Sequence, residues 1–140
     1  MPKVIRIMKV DTAHAHLPKI GSEFGCLGVR DNEIELDSEQ MVQPGIKKGM
    51  SVFDSIEALP PLMVPKQYAS QVEGAAGSRN QRIWTMGRGA FISGLFAPGL
   101  QLDCDDAHYG RIEAEKRMHH SEYRKLLADT QATWEVVQPI

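Results

Sequence analysis

A chain of 140 residues with 42% apolar and 24% charged side chains has the balance of a globular protein and is long enough to bury a core. Its net charge of −2 gives no footing for sequence-independent binding to nucleic-acid phosphates, and no apolar run approaches the ~20 residues that span a bilayer. Twelve glycines and eight prolines predict many turns and short elements and exclude an all-helical bundle. Cys26 and Cys104 stand far apart and form neither a disulfide framework nor a zinc pattern, so free thiols are expected. Met1–Arg6 is charged and lacks the apolar stretch of a signal peptide, which predicts a cytoplasmic protein.

Lys3–Val10 contains Val4-Ile5-Arg6-Ile7-Met8, a β-branched run that predicts a first strand. Arg6 would point with Val4 and Met8, away from Ile5 and Ile7, and either snorkels to water or meets an anion. His14 and His16 stand at i, i+2 with no third ligand at a sensible spacing, so no metal site is expected. Pro18–Gly28 is loop leading to a strand around Cys26–Arg30, Asp31-Asn32 is a turn, Glu33–Leu36 a brief edge strand and Met41–Gly45 a second turn.

Gly49 permits a sharp bend into a short strand, Ser51–Phe53, with Ser51 and Phe53 on one face. Ser51 is either a solvated hydroxyl or one presented to a ligand. Pro60, Pro61 and Pro65 exclude central strand or helix interior, so this segment crosses the surface as a flap. Gln67–Arg82 holds Tyr68 and then Gly74–Asn80, which lacks periodicity and predicts a mobile loop. Ile83–Met86 is strand-like. Gly87–Gly99 is too apolar for a free loop, given Phe91, Ile92, Leu95 and Phe96, and predicts a lid or buried turn. Leu100–Cys104 alternates as a half-buried strand, followed by a turn at Asp105-Asp106.

The stretch His108–Met118 read as a strand puts Tyr109, Arg111, Glu113 and Glu115 on one face and Gly110, Ile112 and Ala114 on the other. Two carboxylates one pleat apart, beside a Tyr and an Arg, suit a cationic or sugar-like transition state. The same pattern is also that of a solvated face on which Arg111 pairs with a glutamate. Beyond Met118, Tyr123, Leu126, Leu127 and Thr130 recur at i, i+3, i+4 and i+7, which predicts an amphipathic helix over His120–Ala132. Trp134–Val137 is a last strand. Residues 1–140 therefore read as one α+β domain, strand-rich, with a C-terminal amphipathic helix followed by a last strand.

His108-Tyr109, Ile112, the turn to Met118 and the helix carrying Tyr123, together with Gly49-Met50-Ser51-Val52 and the arginine-bearing Val4–Lys9, resemble the toxin effectors with an ADP-ribosyltransferase-like fold that type VI secretion systems deliver. The resemblance implies an NAD site built from Arg6, Ser51 and Glu113, in that chain order, with NAD as co-substrate. Glu115 is the rival of Glu113, since some members carry a Glu-x-Glu pair. Arg6 would hold a pyrophosphate oxygen or orient the nicotinamide ribose, and Ser51 would brace the site. Phe53 or Tyr68 would stack on the nicotinamide, while the carboxylate would stabilise the oxocarbenium-like transition state. His108 would be structural. A macromolecular acceptor of unknown class, a cognate immunity or antitoxin protein, and release into a target cell without a signal peptide are implied in the same way. Transfer to water, making the protein an NAD glycohydrolase, and a non-catalytic binding module on the same shell stay open as alternatives.

Overall fold

The computed structural model describes residues Met1–Ile140 as an α+β, strand-rich architecture. Its strands are β1 (Val4–Lys9), β2 (Met41–Val42), β3 (Met50–Phe53), β4 (Gln81–Met86), β5 (Gly94–Ala97), β6 (Leu100–Cys104), β7 (Tyr109–Ala114), β8 (Met118–His119) and β9 (Glu135–Val136). One α-helix, α1 (His120–Ala128), lies between β8 and β9. Seven strands form a sheet in the order β5-β6-β7-β3-β1-β4-β9, while β2 and β8 make a separate two-stranded ribbon. Every ladder is antiparallel.

Residues directly opposite in a ladder share a face, and the register sorts the core accordingly. Val4, Met8, Met50, Val52, Trp84 and Ile112 belong to a cluster of 20 buried residues that includes Tyr123 and Leu127 of α1. The other face carries Ile5 and Ile83, packed with Leu59, Val64 and Tyr68. These last three come from the proline-containing crossing, which folds as short 3₁₀ turns at Pro61–Met63 and Lys66–Tyr68.

The sheet splits at its centre. β1 and β3 share one register pair, Ile5 with Phe53, and the ladder ends there. Arg6 fills the gap: its Nη1 donates to the Ser51 carbonyl at 2.7 Å, and its Nη2 donates to the carbonyls of Cys26 at 3.0 Å and Gly28 at 3.4 Å. On the far side of β3, Gly49 has φ +146, and a Cβ there would lie 2.5 Å from the Ile112 carbonyl oxygen. Only glycine lets the chain turn into β3 this close to β7.

Several expectations change. Cys26–Arg30 is not a strand; Leu27 only bridges Ile20, and Gly28 has φ +147 with Gly21 pressed against it. Glu33–Leu36 forms no edge strand, because Asp31–Glu33 closes a 3₁₀ turn. Met41-Val42 is strand rather than turn, and the helix stops at Ala128, before Ala132. Gly87–Gly99 contains the edge strand β5, with Phe96 buried but Ile92 and Leu95 exposed. The loop after Gly74 is tied down through hydrogen bonds between Gly77 and Val64 at 2.8 Å and between Lys66 and Gly77 at 3.3 Å. No helix is long and apolar enough to cross a membrane.

Candidate functional site

The split in the sheet opens on a cleft of about 270 Å³. Its floor comes from the face that carries Ile7, Ser51, Phe53 and Gln81, and Tyr109 closes one side. Pro60 and Met63 of the crossing segment form a wall. Opposite them stand Phe24, Gly25, Arg30 and Glu33, from the loop that precedes and includes the Asp31–Glu33 turn.

Arg6 and Ser51 meet here, as the Ser51 carbonyl accepts from Arg6. Arg6 is held by main-chain carbonyls alone, with its Nε buried and unpartnered. Burial lowers the pKa of this guanidinium, and the nearby Glu33 carboxylate opposes that shift. Ser51 Oγ lies 2.9 Å from the Tyr109 hydroxyl, and the Tyr109 ring tilts against Phe53 with centroids 5.3 Å apart. Phe53 and Tyr109 thus form one aromatic wall. The half-exposed Phe24 supplies a second ring, with the Arg30 guanidinium 5.3 Å above it.

Glu113 does not line this cleft. It shares a face with Arg111 and Tyr109 but lies further along β7, 3% exposed. Its Oε1 accepts from Gln101 Nε2 at 2.7 Å and its Oε2 from the Gly45 amide at 3.0 Å. Glu115 is exposed in the turn after β7, outside the strand in which the sequence placed it. Tyr68 is likewise corrected from a stacking role. It belongs to the crossing segment and is fully buried away from the cleft, donating to the Val137 carbonyl at 2.6 Å and accepting from the Ile83 amide at 3.1 Å. Burial pushes its phenol pKa up.

Arg111 pairs with Asp105 rather than with a glutamate of its own strand, through two bonds of 2.7 and 2.6 Å. These bonds hold the Asp105 carboxyl down at about 2. His108 is exposed, with Nδ1 3.1 Å from Asp54 Oδ2. It lines a groove of about 390 Å³ that shares Phe53 and Tyr109 with the cleft.

The carboxylate that does line the cleft is Glu33. Its Oε1 accepts from the Arg30 amide at 2.8 Å and from Arg30 Nε at 3.3 Å. The signal for it was present as Arg30-Asp31-Asn32-Glu33, a glutamate three residues after the start of a turn, positioned to reach back to the main chain. Nothing in the sequence pattern marked Gln81 or Phe24. The cleft therefore offers two cations, one carboxylate, two hydroxyls, a carboxamide and aromatic walls, a set suited to a planar ring linked to a polyhydroxyl, anionic body.

No family model, curated protein or solved structure matches this chain. Both cysteines are unpaired, Cys26 buried and Cys104 half-buried. No group of three or more His, Cys, Asp or Glu side chains is arranged to hold a metal ion.

Proposed function

We propose that the cleft binds NAD and that the protein is an NAD-dependent ADP-ribosyltransferase-like toxin acting in the bacterial cytoplasm. The observation that carries this reading is the meeting of Arg6 with Ser51 where β1 and β3 part, in a cleft walled by Phe53 and Tyr109. A split antiparallel sheet with an arginine at the split would give a flexible dinucleotide, with its anionic pyrophosphate and cationic nicotinamide ring, a slot in which ring and phosphates are held apart. Cleavage of the nicotinamide–ribose bond develops positive charge on the ribose, and a carboxylate close to it stabilises that charge only in the transition state. Glu33 is the carboxylate that the cleft supplies. Its free oxygen would accept from a ribose hydroxyl and orient the sugar.

Glu113 would serve as the catalytic carboxylate only by leaving Gln101 and Gly45. That placement favours a second reading, a non-catalytic module that binds its ligand or a macromolecular partner on the same shell. Transfer to water, to a macromolecular acceptor, or inhibition by a cognate immunity protein would all act at this one cleft.

Calorimetry with NAD, paired with an assay for released nicotinamide, separates these readings. Binding with release in buffer identifies a glycohydrolase, and release that needs a cell extract identifies a transferase. Glu33→Gln is expected to lower release about 100-fold or more while leaving NAD binding within a few-fold. Glu113→Gln is expected to act mainly through stability. NAD that gives neither heat nor product at millimolar concentration would remove the enzyme reading.

A further inference from the structure

Gln81 opens β4, opposite Lys9 of β1, and is 6% exposed, yet it lines the cleft. Its main-chain carbonyl is occupied, accepting from Gln67 Nε2 at 2.9 Å and from Arg82 Nη1 at 2.8 Å. Its side-chain carboxamide makes no hydrogen bond within the protein and is reached from the cleft, so its donor and acceptor are free to meet a ligand there. The amide lies against the main chain of Gly25. Gly25 has φ +77, and a Cβ at that position would fall 2.3 Å from Gln81 Nε2, so the amide packs against a bare backbone that only glycine leaves open. Phe24, next in the chain, offers its ring to the same cleft.

We infer that Gln81 reads a paired donor–acceptor edge on a planar ring of the ligand, through two parallel hydrogen bonds between its carboxamide and that edge. This rests on the NAD reading of the cleft and adds to it a residue that sets specificity. A carboxamide offers one donor and one acceptor side by side. Its complements on a dinucleotide are the carboxamide of nicotinamide and the N6/N7 edge of adenine. A buried amide left unpaired by a wrong ligand is costly, which is how such a site rejects close analogues.

Two analogues separate the sources. Nicotinic acid adenine dinucleotide replaces the nicotinamide edge with two acceptors, and nicotinamide hypoxanthine dinucleotide does the same to the N6/N7 edge. In either case Gln81 Oε1 would face an oxygen lone pair in place of a donor. The added negative charge of the acid analogue, near Arg6 and Arg30, would by itself favour that analogue. Glu33, in the same cleft, would oppose that charge, so a preference for NAD over this analogue is assigned to pairing only if Gln81→Met abolishes it.

Titration calorimetry on the full chain is expected to show NAD binding about tenfold tighter than one of the two analogues, which also tells which ring Gln81 reads. Gln81→Met, close in shape and unable to pair, is expected to bind NAD and that analogue within about twofold of each other. Gln81→Leu serves as the second variant, and thermal unfolding checks that each is folded. Equal binding of all three dinucleotides by the wild type would overturn the inference and leave the NAD reading standing. A Gln81→Met protein that keeps the wild-type preference would overturn it too. Absence of NAD binding by the wild type would overturn both.

Discussion

At the scale of single residues, Arg6 departs most from the expected pattern. A buried guanidinium is ordinarily met by a carboxylate, but here its partners are the carbonyls of Ser51, Cys26 and Gly28. The Ser51 carbonyl would otherwise point at a neighbouring strand, so Arg6 takes over a ladder bond where the sheet has split. It thereby ties β1, β3 and the 26–28 loop into one wall of the cleft. Arg6→Met keeps most of the apolar stem but leaves buried carbonyls without donors. It is expected to lower unfolding free energy by about 3 kcal/mol, measured by urea denaturation. A loss below about 0.5 kcal/mol would show that the guanidinium is not a brace. Lys125→Ala is the contrast: its partner Asp129, just past the end of α1, is half-exposed, and such pairs contribute little.

At the scale of elements, legibility followed periodicity. β1 and β4 were readable as short apolar, β-branched or aromatic runs, and β6 and α1 from apolar residues at spacings of two or of three and four. Burial alternates in β3 and β6 and falls on Tyr123 and Leu127 of α1, while β1 and β4 are buried on parts of both faces. The same alternation in β7 put Ile112 and Ala114 in the main core, but both faces of that strand are buried, so alternation could not tell which carboxylate would reach the cleft. Glu113 is turned inward by Gln101 and the Gly45 amide, partners 12 and 68 residues away that no local pattern reveals. Cys26–Arg30 misled for the opposite reason. Its residues suit a strand, but Gly21 and Lys19 capture the main chain of Leu27 on both sides.

The β6–β7 hairpin carries a pH prediction of its own. Asp105 falls from an ordinary value of 3.8 to about 2 through its bonds with Arg111, helped by Lys47. A carboxyl with a depressed folded-state pKa stabilises fully above its unfolded value, and that contribution fades as pH falls toward the folded one. Unfolding midpoints in urea should therefore drop between about pH 4 and pH 2, and Asp105→Asn should flatten that decline while lowering stability at neutral pH. An unchanged decline in the variant would assign the acid sensitivity to other carboxylates.

At the scale of the whole molecule, the sheet is covered by α1 on one face and by the proline-rich crossing on part of the other, and the cleft is what that partial cover leaves open. On the proposed reading, this opening would let an abundant small co-substrate and an acceptor reach the same site. The groove of about 390 Å³ that shares Tyr109 and Phe53 with the cleft would give such an acceptor its approach. If the protein acts on NAD, its production in bacterial cytoplasm should arrest growth and lower the cellular NAD pool. Arg6→Met would confound stability with function, so the informative variants are Glu33→Gln and a double Glu113→Gln, Glu115→Gln chain, each at matched soluble levels. Loss of toxicity in Glu33→Gln alone assigns the chemistry to the cleft carboxylate, and loss in the double variant alone returns it to β7. Full toxicity in both, with the NAD pool intact, means that the chain harms its host by occupying a partner and that the cleft binds without cleaving.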